Sequence, residues 1–332
     1  MDHEPLGHSG LRVSPVALGT MNFGPVTPEA DARKIMDTAY HQGINLFDTA
    51  NVYGADANRT IADNSLKKGL TEQIIGRWMA DMPGRREQVV MISKAYGCMG
   101  EGPNDMYLSA AHLRRACEDS LRRLQTDYLD IFMLHHVDRS TSWEEIWEVL
   151  GDLRQEGKIR YAGTSNFAAW QIVQGQEVAR ARHLLGFVAD QSIYNLMERT
   201  IELELLPACR EYGIGVMPYS PLNSGLLGGI LTKTQTAARS ASSRATKQLK
   251  SRKDQISAFE DFAQDLGHPA AVVAQAWLCH QPGIAAPIIG ARNVDHVDDG
   301  VAAANLDLSA SELEALDGIF PPTGAAPEAY AW

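Results

Sequence analysis

Residues 109–136 read SAAHLRRACEDSLRRLQTDYLDIFMLHH. A helical pattern over Ser109–Leu124 gives way to a short β-type apolar run, Tyr128–Leu134, which ends on two histidines. The same unit recurs outward in both directions. Further β-type runs are Val16–Gly19, Ile44–Phe47, Val89–Ser93, Ile159–Gly163, Phe187–Asp190, Ile214–Pro218 and Ala285–Ile289. Between them lie helical patterns such as Pro28–His41, Thr71–Ala80, Trp143–Gln155, Trp170–Arg180 and Ile201–Tyr212. Strands alternating with helices predict an α/β fold with a parallel sheet and right-handed crossovers. Eight such strands are the number that closes a (β/α)8 TIM barrel. The alternative, an open doubly wound sheet, usually binds a dinucleotide through a Gly-rich turn after its first strand. No GxGxxG occurs in this chain, so a nicotinamide site would have to be built differently.

The two ends extend the barrel. Two short extended pieces around Ser9-Gly10 read as an N-terminal β-hairpin that can plug the barrel bottom. Beyond the last strand, Asn293–Ala304 and Ser309–Ile319 read as extra C-terminal helices, the second opened by a Ser309/Glu312 capping box. With no linker, residues 1–332 are expected to form one barrel domain. The basic, Ser-rich stretch Arg239–Lys253 is expected to be a mobile loop over 240–253, with a flap over an anionic ligand as the sharper reading. Residues 320–332, Pro- and Ala-rich, are expected to be an irregular tail.

Composition narrows the function classes. Of 332 residues, 45% are hydrophobic and 21% charged, as in an ordinary globular protein with a large core. The formal net charge of −11 argues against a nucleic-acid partner. Cys98, Cys117, Cys209 and Cys279 form no CxxC pair and read as scattered reduced thiols, with no metal site expected. No apolar run has the length of a membrane span and MDHEPLGHSG has no signal core, so a cytoplasmic location is expected.

Barrel chemistry sits where strands end and βα loops begin. Asp48 and Tyr53 follow the second strand, Lys94 ends the third, and His135 follows the fourth. Reducing a carbonyl requires a hydride to carbon and a proton to oxygen. A tyrosine alone is a poor acid, a neighbouring ammonium lowers its pKa, and a buried ammonium needs a carboxylate. A histidine can orient the carbonyl. Each residue also has a bland reading as a cap, a packing group or a solvated charge. Because neighbouring strand residues face opposite sides, one of His135 and His136 is expected to point inward and the other outward.

Three strings at these strand ends resemble the aldo-keto reductase superfamily: Asn45–Gly54, Gly163-Thr164-Ser165-Asn166-Phe167 and Ser220-Pro221-Leu222. Leu134-His135, after Asp127-Tyr128-Leu129-Asp130, is similar to that family's histidine strand. Within the family, Gly19–Gly24, Lys68–Glu72, His135–Arg139 and the ending Pro327–Trp332 resemble actinobacterial sugar reductases of the NDP-hexose 2,3-enoyl or 3-keto type. The resemblance implies an NADPH-dependent reductase of aldehydes and ketones, with a nucleotide-linked keto sugar as one substrate class. Tyr53 would be the proton donor, Asp48 and Lys94 its tuning pair, and His135 the carbonyl-orienting residue. Ser165, Asn166 and Gln191 would hold the nicotinamide carboxamide, and Tyr219 would stack on the ring. Ser220, Pro221, Leu222 and Gly225 would line the pyrophosphate, and Arg292 would pair with a 2′-phosphate. Gly19, Thr20, Met21, Gly290, His296 and Asp299 complete the cofactor set. Phe23, Tyr96 and Met99 are expected at the substrate mouth with Tyr53, His135 and Met21. The chain departs from the family where His296 and Gly300 replace its usual Gln and Asn at the adenine end.

Two other classes compete. Potassium-channel β subunits resemble the same superfamily and bind NADPH while serving a partner. A metal-dependent barrel hydrolase would show a His-x-His pair on its first strand, which is absent.

Overall fold

The computed structural model describes residues 1–54, 68–232 and 243–331. β1 (Glu4–Pro5) and β2 (Arg12–Val13) form the antiparallel N-terminal hairpin. Eight parallel strands follow: β3 (Ala17–Gly19), β4 (Leu46–Asp48), β5 (Val90–Ala95), β6 (Leu129–Leu134), β7 (Ile159–Ser165), β8 (Phe187–Gln191), β9 (Gly215–Val216) and β10 (Ile288–Ile289). They pair in the order β10-β3-β4-β5-β6-β7-β8-β9. The ring is completed by backbone bonds from Val216 N to Gly283 O (3.0 Å), Ala285 N to Val216 O (2.8 Å) and Ile288 N to Pro218 O (2.8 Å). β9 and β10 are short where Pro218 and Pro287, lacking an N–H, interrupt the ladder.

The strand pleat sorts side chains into two cores. Leu46, Val90, Ile92, Ile131, Met133, Val188 and Ile288 belong to one buried cluster, joined by Leu6 of the hairpin segment. Their strand neighbours Leu18, Phe47, Met91, Phe132 and Leu134 belong to the other, which the helices cover. The first cluster is the barrel interior. Leu6 plugs its bottom, where His8 N donates to Gly213 O at 2.7 Å.

The helical layer comprises α1 (Glu29–His41), α2 (Leu70–Ala80), α3 (Ala110–Leu124), α4 (Trp143–Gln155), α5 (Ala169–Ala181) and α6 (Leu205–Glu211). It continues with α7 (Ser243–Ser251), α8 (Lys253–Asp265), α9 (Ala270–Cys279), α10 (Asp295–Ala304), α11 (Ala310–Ile319) and α12 (Glu328–Ala331). In α3 the Ser109 hydroxyl caps His112 N, and Leu113, Leu121 and Leu124 face the core. Burying each such leucine is worth roughly 1.5–3 kcal/mol. Glu72 of α2 is fully buried, accepting from Arg123 Nε and Ser93 Oγ at 2.6 Å each, which ties α2 to α3 and β5. Gly76 makes that crossing possible, because a Cβ there would lie 2.4 Å from Arg123 O and 2.9 Å from Leu124 C. Gly76→Ala is therefore expected to cost about 1–3 kcal/mol through forced separation of α2 and α3, measured as a lower urea midpoint at unchanged slope.

Three expectations need correction. The expected mobile loop over 240–253 is mostly helical, as α7 and the start of α8, while 240–242 lie outside the described residues. Lys, Gln, Leu and Ala favour helix there, no Gly or Pro interrupts it, and Leu249 packs on the core. The pattern Ile201–Tyr212 splits into a 3-10 turn (Thr200–Glu202) and α6, because the Pro207 ring would clash with the Leu203 carbonyl in one continuous helix. The 320–332 tail is not wholly irregular, since it carries the short α12. The Ser309/Glu312 capping box forms as expected.

Candidate active site

The pleat that defines the interior also aims the site residues. Asp48 follows Leu46 by two, Lys94 follows Ile92 by two, His135 follows Met133 by two, and Gln191 follows Ala189 by two. All four therefore form the layer above the barrel core, at the C-terminal ends of the strands.

Lys94, only 1% exposed, is the centre of this layer. Its Nζ lies 2.7 Å from Asp48 Oδ1, donates to Oδ2 at 2.8 Å and to Thr49 O at 2.9 Å, and reaches Tyr53 OH at 3.3 Å. The Tyr53 turn is held by Tyr53 N to Ala50 O (3.1 Å) and Gly69 N to Tyr53 O (3.0 Å). The His135 ring meets Tyr53 edge-on at 5.8 Å. Sequence reasoning thus assembles Asp48, Tyr53, Lys94 and His135 correctly as one spatial group.

Their electrostatics follow from burial and these contacts. Burial pulls the Lys94 ammonium down, but Asp48 and Tyr53 outweigh it and hold its pKa above the ordinary lysine value. Burial raises the Tyr53 phenol, and the opposing pull of Lys94 does not overcome it. Lys94 does pull this phenol down, as expected, but removal from water outweighs the nearby cation, and Tyr53 stays protonated. Burial, then the neighbouring Lys94 charge and His136, push His135 well below the ordinary histidine range, so its ring is neutral at pH 7.

The mouth is aromatic. His135 and His136 stack at 5.2 Å with an interplanar angle of 15°, so they do not face opposite sides. β6 ends at Leu134, His135 N still bonds Ala95 O at 3.0 Å, and alternation no longer applies beyond His135. Tyr96 meets His136 at 5.2 Å and Tyr107 at 5.5 Å, both edge-on. Sequence reasoning missed His136 and Tyr107 here. Tyr107 adopts φ +70, a costly conformation for a bulky residue, and Leu108 N is held by Asp138 Oδ2 at 3.2 Å. Met21 is exposed and Met99 half-buried. Phe23 is instead fully buried in the helix-facing core, because its segment folds onto α2, where Thr71 Oγ1 donates to Phe23 O at 2.9 Å.

The residues assigned to a cofactor fall into two groups. Near the Lys94 layer, Gln191 Nε2 donates to Asp48 Oδ1 at 2.6 Å. Asn166 donates to His135 O (3.2 Å) and Ser165 Oγ (2.9 Å), and accepts from Tyr219 OH (2.7 Å). Thr20 is buried and bonds Asp48 O through Oγ1 at 2.8 Å, and Gly19 lies where a Cβ would meet Ile288 Cγ2 at 2.7 Å, so both have packing roles. Further along the rim, Ser220 (φ +56), Asn223 (+44), Ser224 (+57) and Gly225 (+91) form an unusual run of left-handed backbone. Pro221 is buried, Leu222 half-buried, and Gly225 has open space around its Cβ position. Gly290 and Arg292 are exposed, and Arg292 N donates to His296 Nδ1 at 3.3 Å. Asp299 is half-buried on α10, and Gly300 is buried beside it. Small residues and an aromatic ring suit a dinucleotide laid along this rim.

An inward lysine–carboxylate pair stands beside a tyrosine and a neutral histidine at the mouth of an eight-stranded barrel, an arrangement suited to proton transfer. Residues 15–320 match the Aldo/keto reductase family, and the chain belongs to it. It is an NAD(P)H-dependent oxidoreductase. It is 44% identical over 337 residues to the uncharacterized oxidoreductase YrpG of Bacillus subtilis (strain 168), covering 100% of both chains. It is 31% identical to a putative aryl-alcohol dehydrogenase of Schizosaccharomyces pombe, covering 96% of this chain and 95% of that one. It is 30% identical to versiconal hemiacetal acetate reductase of Aspergillus parasiticus, covering 98% and 99%.

Proposed function

We propose that this protein reduces aldehydes or ketones with NADPH, and that Tyr53 donates the proton to the carbonyl oxygen. The observation that carries this reading is the buried Lys94 ammonium held between the Asp48 carboxylate and the Tyr53 hydroxyl. NADPH, when bound, supplies the hydride. Neutral His135 beside Tyr53 would orient the carbonyl oxygen toward the phenol. As the oxygen gains charge, Tyr53 would release its proton, and the Lys94 charge at 3.3 Å would stabilise the phenolate left behind. Asp48 keeps Lys94 charged despite its burial.

Ser165, Asn166 and Gln191 would hold the carboxamide, Tyr219 the ring face, and the Ser220–Gly225 turn the pyrophosphate. α7 packs against that turn and carries exposed Lys247 and Lys250, which supports a cationic rim for cofactor phosphates. Arg292 would grip the 2′-phosphate, a contact suited to its bidentate fork. Arg292→Ala is expected to weaken NADPH binding at least about tenfold while changing NADH binding little, read by fluorescence titration with both cofactors. Equal loss for both would remove the 2′-phosphate assignment.

The aromatic mouth formed by Tyr96, Tyr107 and His136 favours flat, conjugated carbonyls. The names of the aryl-alcohol and versiconal relatives point the same way. The sugar-reductase strings support a nucleotide-linked keto sugar as the second substrate class. Purified protein mixed with NADPH and nitrobenzaldehyde, followed by cofactor absorbance and then by keto sugars, separates the two. NADPH binding with no turnover on either would favour a regulatory subunit.

A further inference from the structure

We propose that Gln191 is a positioning residue of the proton-donating group, fixing the Asp48 carboxylate against Lys94, and that it does so without any cofactor. This deepens the reductase reading above and rests on it. Gln191 is 2% exposed, and its Nε2 donates to Asp48 Oδ1 at 2.6 Å. Lys94 Nζ lies 2.7 Å from the same oxygen. Oδ1 is thus held from two sides, by a cation from β5 and an amide from β8, across 143 positions of sequence.

The contrast with Asn166 sharpens the assignment. The Asn166 amide is occupied at both ends, by Ser165, by the His135 carbonyl and by Tyr219. The Gln191 amide is bonded only to Asp48 among the described residues, which leaves its carbonyl oxygen as the end turned to other work. A single planar group can therefore touch a carboxamide with one end while the other holds the carboxylate that keeps Lys94 in place. A buried carboxylate deprived of one donor loses both orientation and part of its charge compensation. Lys94 then shifts relative to the phenol, and proton donation suffers even when the cofactor is still bound.

The test has one arm without cofactor and one with it. Urea midpoints are measured for the full-length protein, Gln191→Met, Asp48→Asn and the double variant. If the two groups interact, the double variant's midpoint falls by clearly less than the sum of the two single drops. Drops that add would overturn the proposal and leave Gln191 as a cofactor contact alone. In the second arm, Gln191→Met is titrated with NADPH and assayed at saturating cofactor. A kcat lowered about tenfold at saturation supports the positioning role, whereas a weaker NADPH Kd with unchanged kcat overturns it. Failure of the reductase reading is seen separately, as wild-type protein that binds NADPH but reduces no carbonyl.

Discussion

Tyr53→Phe is expected to lower kcat for NADPH-dependent carbonyl reduction by about 10²- to 10⁴-fold, the usual worth of a positioned general acid. NADPH affinity should stay near that of the wild type, because the substitution removes only a hydroxyl. The hydroxyl's one hydrogen bond among the described residues is the 3.3 Å contact with Lys94. The expected pattern of kcat and kcat/KM falling together is that of an interaction made in the transition state. The size of the effect follows from the environment. Burial keeps the phenol protonated, and His135 is held neutral, so no second acid of comparable strength stands beside the carbonyl position. A variant retaining more than about a tenth of wild-type kcat would shift the proton donor to His135 or to solvent. The measurement is cofactor absorbance under saturating NADPH, with binding checked by fluorescence.

The spatial grouping of Asp48, Tyr53, Lys94 and His135 was legible because two regularities coincide in it. Strand parity aims Asp48, Lys94 and His135 inward, and each stands at the end of an apolar run, where a barrel exposes its mouth. What escaped the sequence depends on distances across the barrel or on where the pleat stops. The Gln191–Asp48 bond joins β8 to β4, and nothing local to either residue announces it. His136 lies two residues past Leu134, the last paired position of β6, so alternation gave the wrong side. Phe23 follows a strand end like the other expected mouth residues, but its segment folds back under α2. Asp190 gave no signal either. It is fully buried, accepts from Thr164 and Ser192 hydroxyls at 2.7 Å each, and burial pushes it up to about 6. Short polar side chains at strand ends look alike until their partners are known.

Lys94→Met should have the largest effect on stability. The ammonium is 1% exposed and supplies charge compensation to Asp48, itself 3% exposed. Removing one partner of a buried pair costs about 3–5 kcal/mol, because the remaining charge stays in a medium that solvates it poorly. The Gln191 amide still bonds Asp48 in this variant, and it is neutral, so it offsets only part of the loss. The companion variant decides the cause. Asp48→Asn combined with Lys94→Met removes both charges and keeps the volume, so it should recover most of the stability lost by the single change. Urea unfolding at unchanged slope measures both. Activity separates from stability here: the double variant should fold well and still reduce nothing at a measurable rate, because no cation remains to stabilise the Tyr53 phenolate. If the double variant is as unstable as the single one, Lys94 matters for packing rather than charge. If it is stable and active, the buried cation is not what makes Tyr53 an acid.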